Sequence, residues 1–68
     1  MVDIEIVTRS DHLWSTIYAN TYDGMEWIKK AGIGYRWKGA ALIPQFLVTD
    51  YLLKIKSSQL KVKIITYE

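Results

Sequence analysis

A chain of 68 residues with no cysteine and one histidine, His12, has to hold itself together with apolar side chains alone. Disulfides and thiolate zinc sites are excluded, and one imidazole cannot build a histidine-rich metal site. By general size scaling such a chain buries about 7,000 Å² on folding, about 60 % of it apolar, worth about 100 kcal/mol at roughly 25 cal/mol/Å². Ordering it at about 1.5 kcal/mol per residue costs nearly as much. Close packing or a partner subunit therefore decides stability in a single domain of this size. Trp14, Trp27, Trp37, Tyr18, Tyr22, Tyr35, Tyr51, Tyr67 and Phe46 can supply large areas to either, so a homo-oligomer is expected.

Hydrophobic periodicity organises the chain. Val2, Ile4 and Ile6 alternate with Asp3 and Glu5, the period of a strand with one buried face. Residues 12–19 fit two alternating sets, although Leu13 and Ile17 also suit a helix. Thr, Ile, Tyr and Trp favour a sheet, which predicts a second strand in a hairpin with the first. Thr21 is a helix cap, followed by Asp23 in the first turn, Lys29 and Lys30 in the last, and Gly32 beyond, which predicts a helix over 22–31. Gly24 counts against that helix by about 1 kcal/mol relative to alanine. Residues 33–38 and 40–43 offer short strands, the first interrupted by glycines. After Pro44, the spacing of Leu47 or Val48, Tyr51, Leu52 and Ile55 predicts a second amphipathic helix at about 45–57. Leu60, Val62 and Ile64 then alternate with Lys61 and Lys63 as a last strand. The expected fold is α+β: a mixed sheet of three to four strands with two helices on one face, approximately ββαβαβ.

The string Thr21-Tyr22-Asp23-Gly24-Met25-Glu26-Trp27-Ile28, followed by Ala40-Ala41-Leu42-Ile43 and a helix ending before Leu60, resembles small uncharacterised bacterial proteins encoded by phages and prophages. The likeness runs over about residues 21 to 62. It implies a phage-like origin and carries no activity with it.

The net charge of +2 hides a division. Residues 1–28 set Arg9 alone against Asp3, Glu5, Asp11, Asp23 and Glu26, whereas residues 29–68 carry eight cations against Asp50 and Glu68. Sheet formation can bring these opposite ends together. Asp3 and Glu5 also interrupt the place where a signal peptide would put a basic segment and an apolar run. No stretch reaches the apolar length of a membrane span, so a cytoplasmic setting without a membrane partner is expected.

Little in the chain suits catalysis. His12 is the one ordinary base near neutral pH, beside Asp11, Ser10 and Ser15, and reads as a turn residue more readily than as the centre of a small enzyme. Asp3 and Glu5 share a face that could hold a divalent cation, but more simply keep an outer surface wet. Gly32-x-Gly34 is too short for a nucleotide fingerprint. No enzyme, cofactor or metal is expected. The first reading is a non-enzymatic accessory or regulatory protein-interaction domain that self-associates, with Tyr35, Trp37 and Tyr67 as aromatic contacts. The alternative is nucleic-acid binding, or contact with an acidic protein, through Arg36, Lys38, Lys54, Lys56, Lys61 and Lys63, with bases stacking on the interleaved rings. Its competitor is plain solvation of a sheet edge by lysine.

Overall fold

Alternating apolar residues at the two ends of the chain build neighbouring strands of one sheet, the first interior and the last at its edge. In the computed structural model, which describes residues 1–33 and 40–68 and the backbone of 35–37, β1 (Ile4–Arg9) has two neighbours. It runs antiparallel to β2 (Trp14–Ala19) and parallel to β5 (Val62–Tyr67). β4 (Ala40–Pro44) pairs antiparallel with β2, and β3 (Tyr35–Trp37) with β4, giving the order β3-β4-β2-β1-β5. Between the strands lie α1 (Tyr22–Lys30) and α2 (Val48–Ser57), the latter preceded by a 3₁₀ turn at Gln45–Leu47. The fold is α+β with a mixed sheet and two helices, as the periodicities imply. Both short stretches between the helices form strands, so the expected three to four strands become five. Residues 12–19 resolve in favour of the hairpin strand, paired with β1.

Both helices cover the same face. Ile28 of α1 and Ile55 of α2 are fully buried in one cluster with Ile4, Ile6, Ile17 and Ile43, to which Ile33 and Ala41 add. Each fully buried isoleucine contributes roughly 1.5–3 kcal/mol, and these residues are the main apolar gain of the fold. Pairing Ile4 with Val62 and Glu5 with Lys63 sets the acidic first strand beside the basic last one. The charge division of the sequence is thereby closed on itself.

Local signals account for the helix ends. Thr21 is extended, and its Oγ1 accepts a hydrogen bond from the Gly24 N–H at 3.1 Å, satisfying one free donor of the first turn of α1. Gly32, at φ +73°, turns the chain out of the helix, and its N–H donates to the Lys29 carbonyl at 3.2 Å. After α2 the reversal falls on Gln59, at φ +65°, a conformation that glycine adopts more cheaply.

Gly24 has a role that helix propensity alone misses. The helix start lies against the beginning of β1, and a Cβ at residue 24 would fall inside the van der Waals envelope of the Asp3 carbonyl, with Ile4 Cγ1 only 3.2 Å away. Glycine is what lets the two backbones approach. The sign of the sequence-based expectation is therefore reversed: Gly24→Ala should destabilise by roughly 1–3 kcal/mol despite its better helix propensity, because the obstacle is main chain. Gln59→Gly should act the other way, raising stability by roughly 1 kcal/mol through relief of the left-handed backbone. Urea denaturation of both variants checks the pair, and a Gly24→Ala protein as stable as the wild type would contradict the close approach.

Candidate interaction surface

The acidic residues in and immediately before the first strand are occupied structurally. Asp3 Oδ1 accepts from Thr21 Oγ1 at 2.8 Å and Oδ2 from the Lys61 N–H at 2.9 Å. Its own backbone donates to the Lys61 carbonyl at 2.8 Å and accepts from the Asn20 N–H at 2.8 Å. Asp3 thus joins the start of β1, the junction between β2 and α1, and the start of β5. The hydrogen bond from the Lys61 N–H, followed by that from Thr21, holds its carboxyl below its ordinary pKa. Glu5 accepts from Asn20 Nδ2 at 2.8 Å. Among the described residues no group of three or more His, Asp or Glu side chains stands close enough to hold a metal ion.

His12 lies exposed in the turn between β1 and β2, with its Nε2 3.8 Å from Asp11 Oδ1. It helps line a cleft of about 620 Å³ with Ser10, Leu13, Trp14, Pro44, Gln45 and Phe46. This cleft is walled mostly by carbon. Leu13 is 84 % exposed, Trp14 54 % and Phe46 74 %.

The cleft is held open by backbone. The Gln45 N–H donates to the Leu13 carbonyl at 2.9 Å. In the amide orientation that its surroundings require, the Gln45 side-chain nitrogen donates to the Arg9 carbonyl at 3.0 Å and also to the His12 carbonyl. One residue at the start of the 3₁₀ turn thus anchors the whole β1–β2 turn. Trp14 lies opposite Pro44 across the β2–β4 pair. The three large apolar side chains are consequently presented on a braced frame.

Register decides what the rest of this face contains. With Ile4, Ile6, Ile17, Ala41 and Ile43 turned toward the helices, the opposite side of the sheet carries Glu5, Val7 and Arg9 of β1 and Trp14, Thr16 and Tyr18 of β2. Leu42 of β4 and Lys63, Ile65 and Tyr67 of β5 complete it. Leu42, Thr16, Val7 and Ile65 stand in one row across four strands. No helix of the described residues packs there. The Arg9 guanidinium lies 5.4 Å from the centre of the Tyr67 ring.

The two alternating sets of β2 are sorted against simple hydrophobicity. Ser15 goes inward, 1 % exposed, and its hydroxyl has no hydrogen-bond partner among the described residues. Trp14 and Tyr18 go outward. Burying an unpaired hydroxyl costs about 1–3 kcal/mol, and leaving an indole in water forgoes a comparable gain. Small residues at 15, 19 and 41 leave room for α1 and α2 to approach the sheet. The rings left outside are then available to something else.

A second aromatic grouping is used by the fold. Between the helices, Trp27 meets Tyr51 edge to face with ring centres 6.4 Å apart, and Trp27 Nε1 donates to Ser58 Oγ at 2.9 Å. The Lys54 ammonium stands 5.4 Å from the Tyr51 ring, beside an open cleft that Lys30 and Leu53 also line. These contacts lock one helix to the other.

Of the residues singled out from sequence, Lys63 and Tyr67 belong to the exposed end strand and Lys61 immediately precedes it. The side chains of Lys63 and Tyr67 lie on the open face, while Lys54 and Lys56 lie on α2, across the sheet. The side chains of Tyr35, Arg36 and Trp37, and the whole of Lys38, lie outside the described residues. Leu13, Trp14 and Phe46 were not among the sequence-based contacts. The one signal that could have found them is the adjacent pair Leu13-Trp14, since neighbouring residues of a strand cannot both face one core.

Comparison of the chain with protein-family models, with curated proteins and with solved structures found no match. No helix of the described residues is long and apolar enough to cross a membrane.

The Asp3 junction has a pH signature. A carboxyl whose pKa is lowered in the folded state stabilises the fold above its unfolded pKa, and that contribution disappears as pH falls through the folded value. Asp3→Asn places an amide where the Lys61 N–H needs an acceptor, so it should be less stable than the wild type at neutral pH. The gap should narrow as acid protonates Asp3 in the wild type. Denaturant midpoints measured for both proteins from neutral pH down to about pH 2.5 test this, and a gap that stays constant would remove Asp3 from the acid response.

Proposed function

We propose that the protein is a non-enzymatic interaction domain of accessory or regulatory type, which self-associates and takes hold of a partner protein through the helix-free face of its sheet. The observation that carries this reading is the outward facing of Trp14 beside Leu13 and Phe46, while a serine occupies the core position next to it. Stability alone favours the reverse. A rigid tryptophan at the mouth of an apolar cleft, rimmed by Ser10, His12 and Gln45, has the make-up of an interface anchor. A phage or prophage source, which the resemblance of Thr21 to Ile28 and Ala40 to Ile43 implies, and a cytoplasmic setting both suit a small accessory protein of this kind.

Nucleic-acid binding has less support. Lys63 stands on the open face opposite Glu5, whereas Lys54 and Lys56 are on the helical side, so these three cations do not form one track for a phosphate backbone. An enzyme centred on His12 has less again: the imidazole sits beside Asp11 in an exposed turn, and carbon predominates in the adjoining cleft.

Trp14→Ala and Phe46→Ala, made singly, provide the test. Each removes a mostly exposed side chain, so each should shift folding stability by about 0.5 kcal/mol or less. Affinity for a discrete protein partner, isolated with the wild type from bacterial lysate, should fall by at least roughly tenfold for Trp14→Ala. Equal capture by wild type and Trp14→Ala would refute the assignment. Retardation of single-stranded DNA or RNA at low salt, abolished by Lys61→Glu with Lys63→Glu, would favour the nucleic-acid reading instead.

A further inference from the structure

β5 is an outer strand, and its pairing with β1 determines which of its peptide groups are used. The Lys61 carbonyl accepts from the N–H groups of Asp3 and Ile4, at 2.8 and 3.1 Å, and the Tyr67 carbonyl accepts from Ser10 N–H at 3.1 Å. In a parallel ladder alternate residues direct both N–H and C=O to the same side. Lys61, Lys63, Ile65 and Tyr67 therefore point toward β1. Val62, Ile64 and Thr66 present their peptide groups outward, with no strand beyond them among the described residues.

This outward set is symmetric about Ile64. We propose that a second copy of this chain pairs there: two β5 strands meet antiparallel across a two-fold axis at Ile64, fusing two sheets into one. In this register Ile64 faces Ile64, and Val62 faces Thr66 of the second copy, so every outward peptide group is used in about six main-chain hydrogen bonds. A shift by one residue puts inward-pointing groups opposite outward-pointing ones. A shift by two leaves an outward residue unpaired. The two-fold register is the one that uses them all.

The side chains agree with the backbone. Ile64 lies on the helix-covered side of the sheet yet is 39 % exposed, because it stands beyond the reach of the core cluster, and its own copy would cover it. On the open side the same register sets Lys61 opposite Tyr67 and Lys63 opposite Ile65. Lys61 gains the ring face of the second copy's Tyr67 as a neighbour, a contact that lets a cationic strand meet itself. Lys63 of each copy is diagonal to the other, a repulsion offset by Glu5 in the same row of the sheet. Both pairs of helices fall on one side, and the two open faces become one continuous surface. The opposite edge is β3, only three residues long, with a register shift against β4.

This inference rests on the self-association reading and names its contact. Sedimentation across a concentration series tests it. The wild type should pass from monomer to dimer, and Thr66→Pro should weaken the dimer by at least roughly tenfold, since the proline removes an outward N–H that the fold itself does not use. Its melting temperature should stay near the wild-type value, whereas Ile65→Pro, which removes an N–H given to β1, should destabilise the fold. Ile64→Lys, which brings two ammonium groups together at the axis, should also yield a monomer. Trp14→Ala should remain dimeric. A dimer that survives Thr66→Pro and Ile64→Lys but is lost in Trp14→Ala would overturn the edge pairing and leave self-association through the open face. A wild type that stays monomeric throughout the series would overturn both.

Discussion

The arrangement depends on Asp3, where three distant parts of the chain are fastened to one residue. Its backbone exchanges hydrogen bonds with Lys61 and Asn20, and its carboxylate takes donors from Thr21 and Lys61. Each of those contacts brings a different closure: the last strand onto the first, the hairpin onto the first helix, and the helix cap onto the sheet. Loop-closure entropy for ends so far apart in sequence must be offset by contacts that form together. An ionised carboxylate that accepts two hydrogen bonds, set in a backbone ladder, couples them. Gly24 completes the arrangement by letting the helix backbone rest against the same carbonyl.

Around that junction the sheet assigns different work to its two faces. The helix-covered face is built of isoleucine with small residues between, which brings the helices close at the cost of a buried serine hydroxyl. The other face keeps Trp14, Tyr18, Leu42 and Tyr67 exposed. In a short chain, where apolar area is scarce, leaving rings outside is a sacrifice of stability. A local choice that works against the fold without visible compensation marks a place where something other than folding sets the residue.

What the sequence revealed follows how local each signal is. The alternation of Ile4 and Ile6, or of Val62 and Ile64, is complete within a few residues, and so are the Thr21 cap and the Gly32 exit; all appear where their spacing puts them. The facing of β2 was not legible, because both of its alternating sets contain apolar residues. Only the pairing of Ile17 with Ile6 and Ala41 decides between them. Gly24 looked like a flaw because its reason lies at Asp3, 21 positions earlier in the chain. The cleft was hidden for the same reason: Phe46 comes near Leu13 and Trp14 through Gln45 and the β2–β4 pairing, and nothing around residue 46 announces it.

The lysines show how topology changes the meaning of a composition. Read along the chain, Lys54, Lys56, Lys61 and Lys63 make one basic stretch. In the fold a helix and a strand divide it. Lys54 stands over the Tyr51 ring on the helical side, while Lys63 sits beside Glu5 on the open one. Cations dispersed in this way serve poorly as a track for phosphate but well as a deterrent to indiscriminate pairing along an exposed strand. A strand edge guarded by charge on one face and carrying isoleucine on the other is selective: it disfavours a partner that cannot place a ring or a carboxylate against the lysines. In the pairing proposed for two copies the end of β5 itself supplies the ring, in Tyr67, and such self-complementarity is what separates a specific contact from a merely unprotected edge.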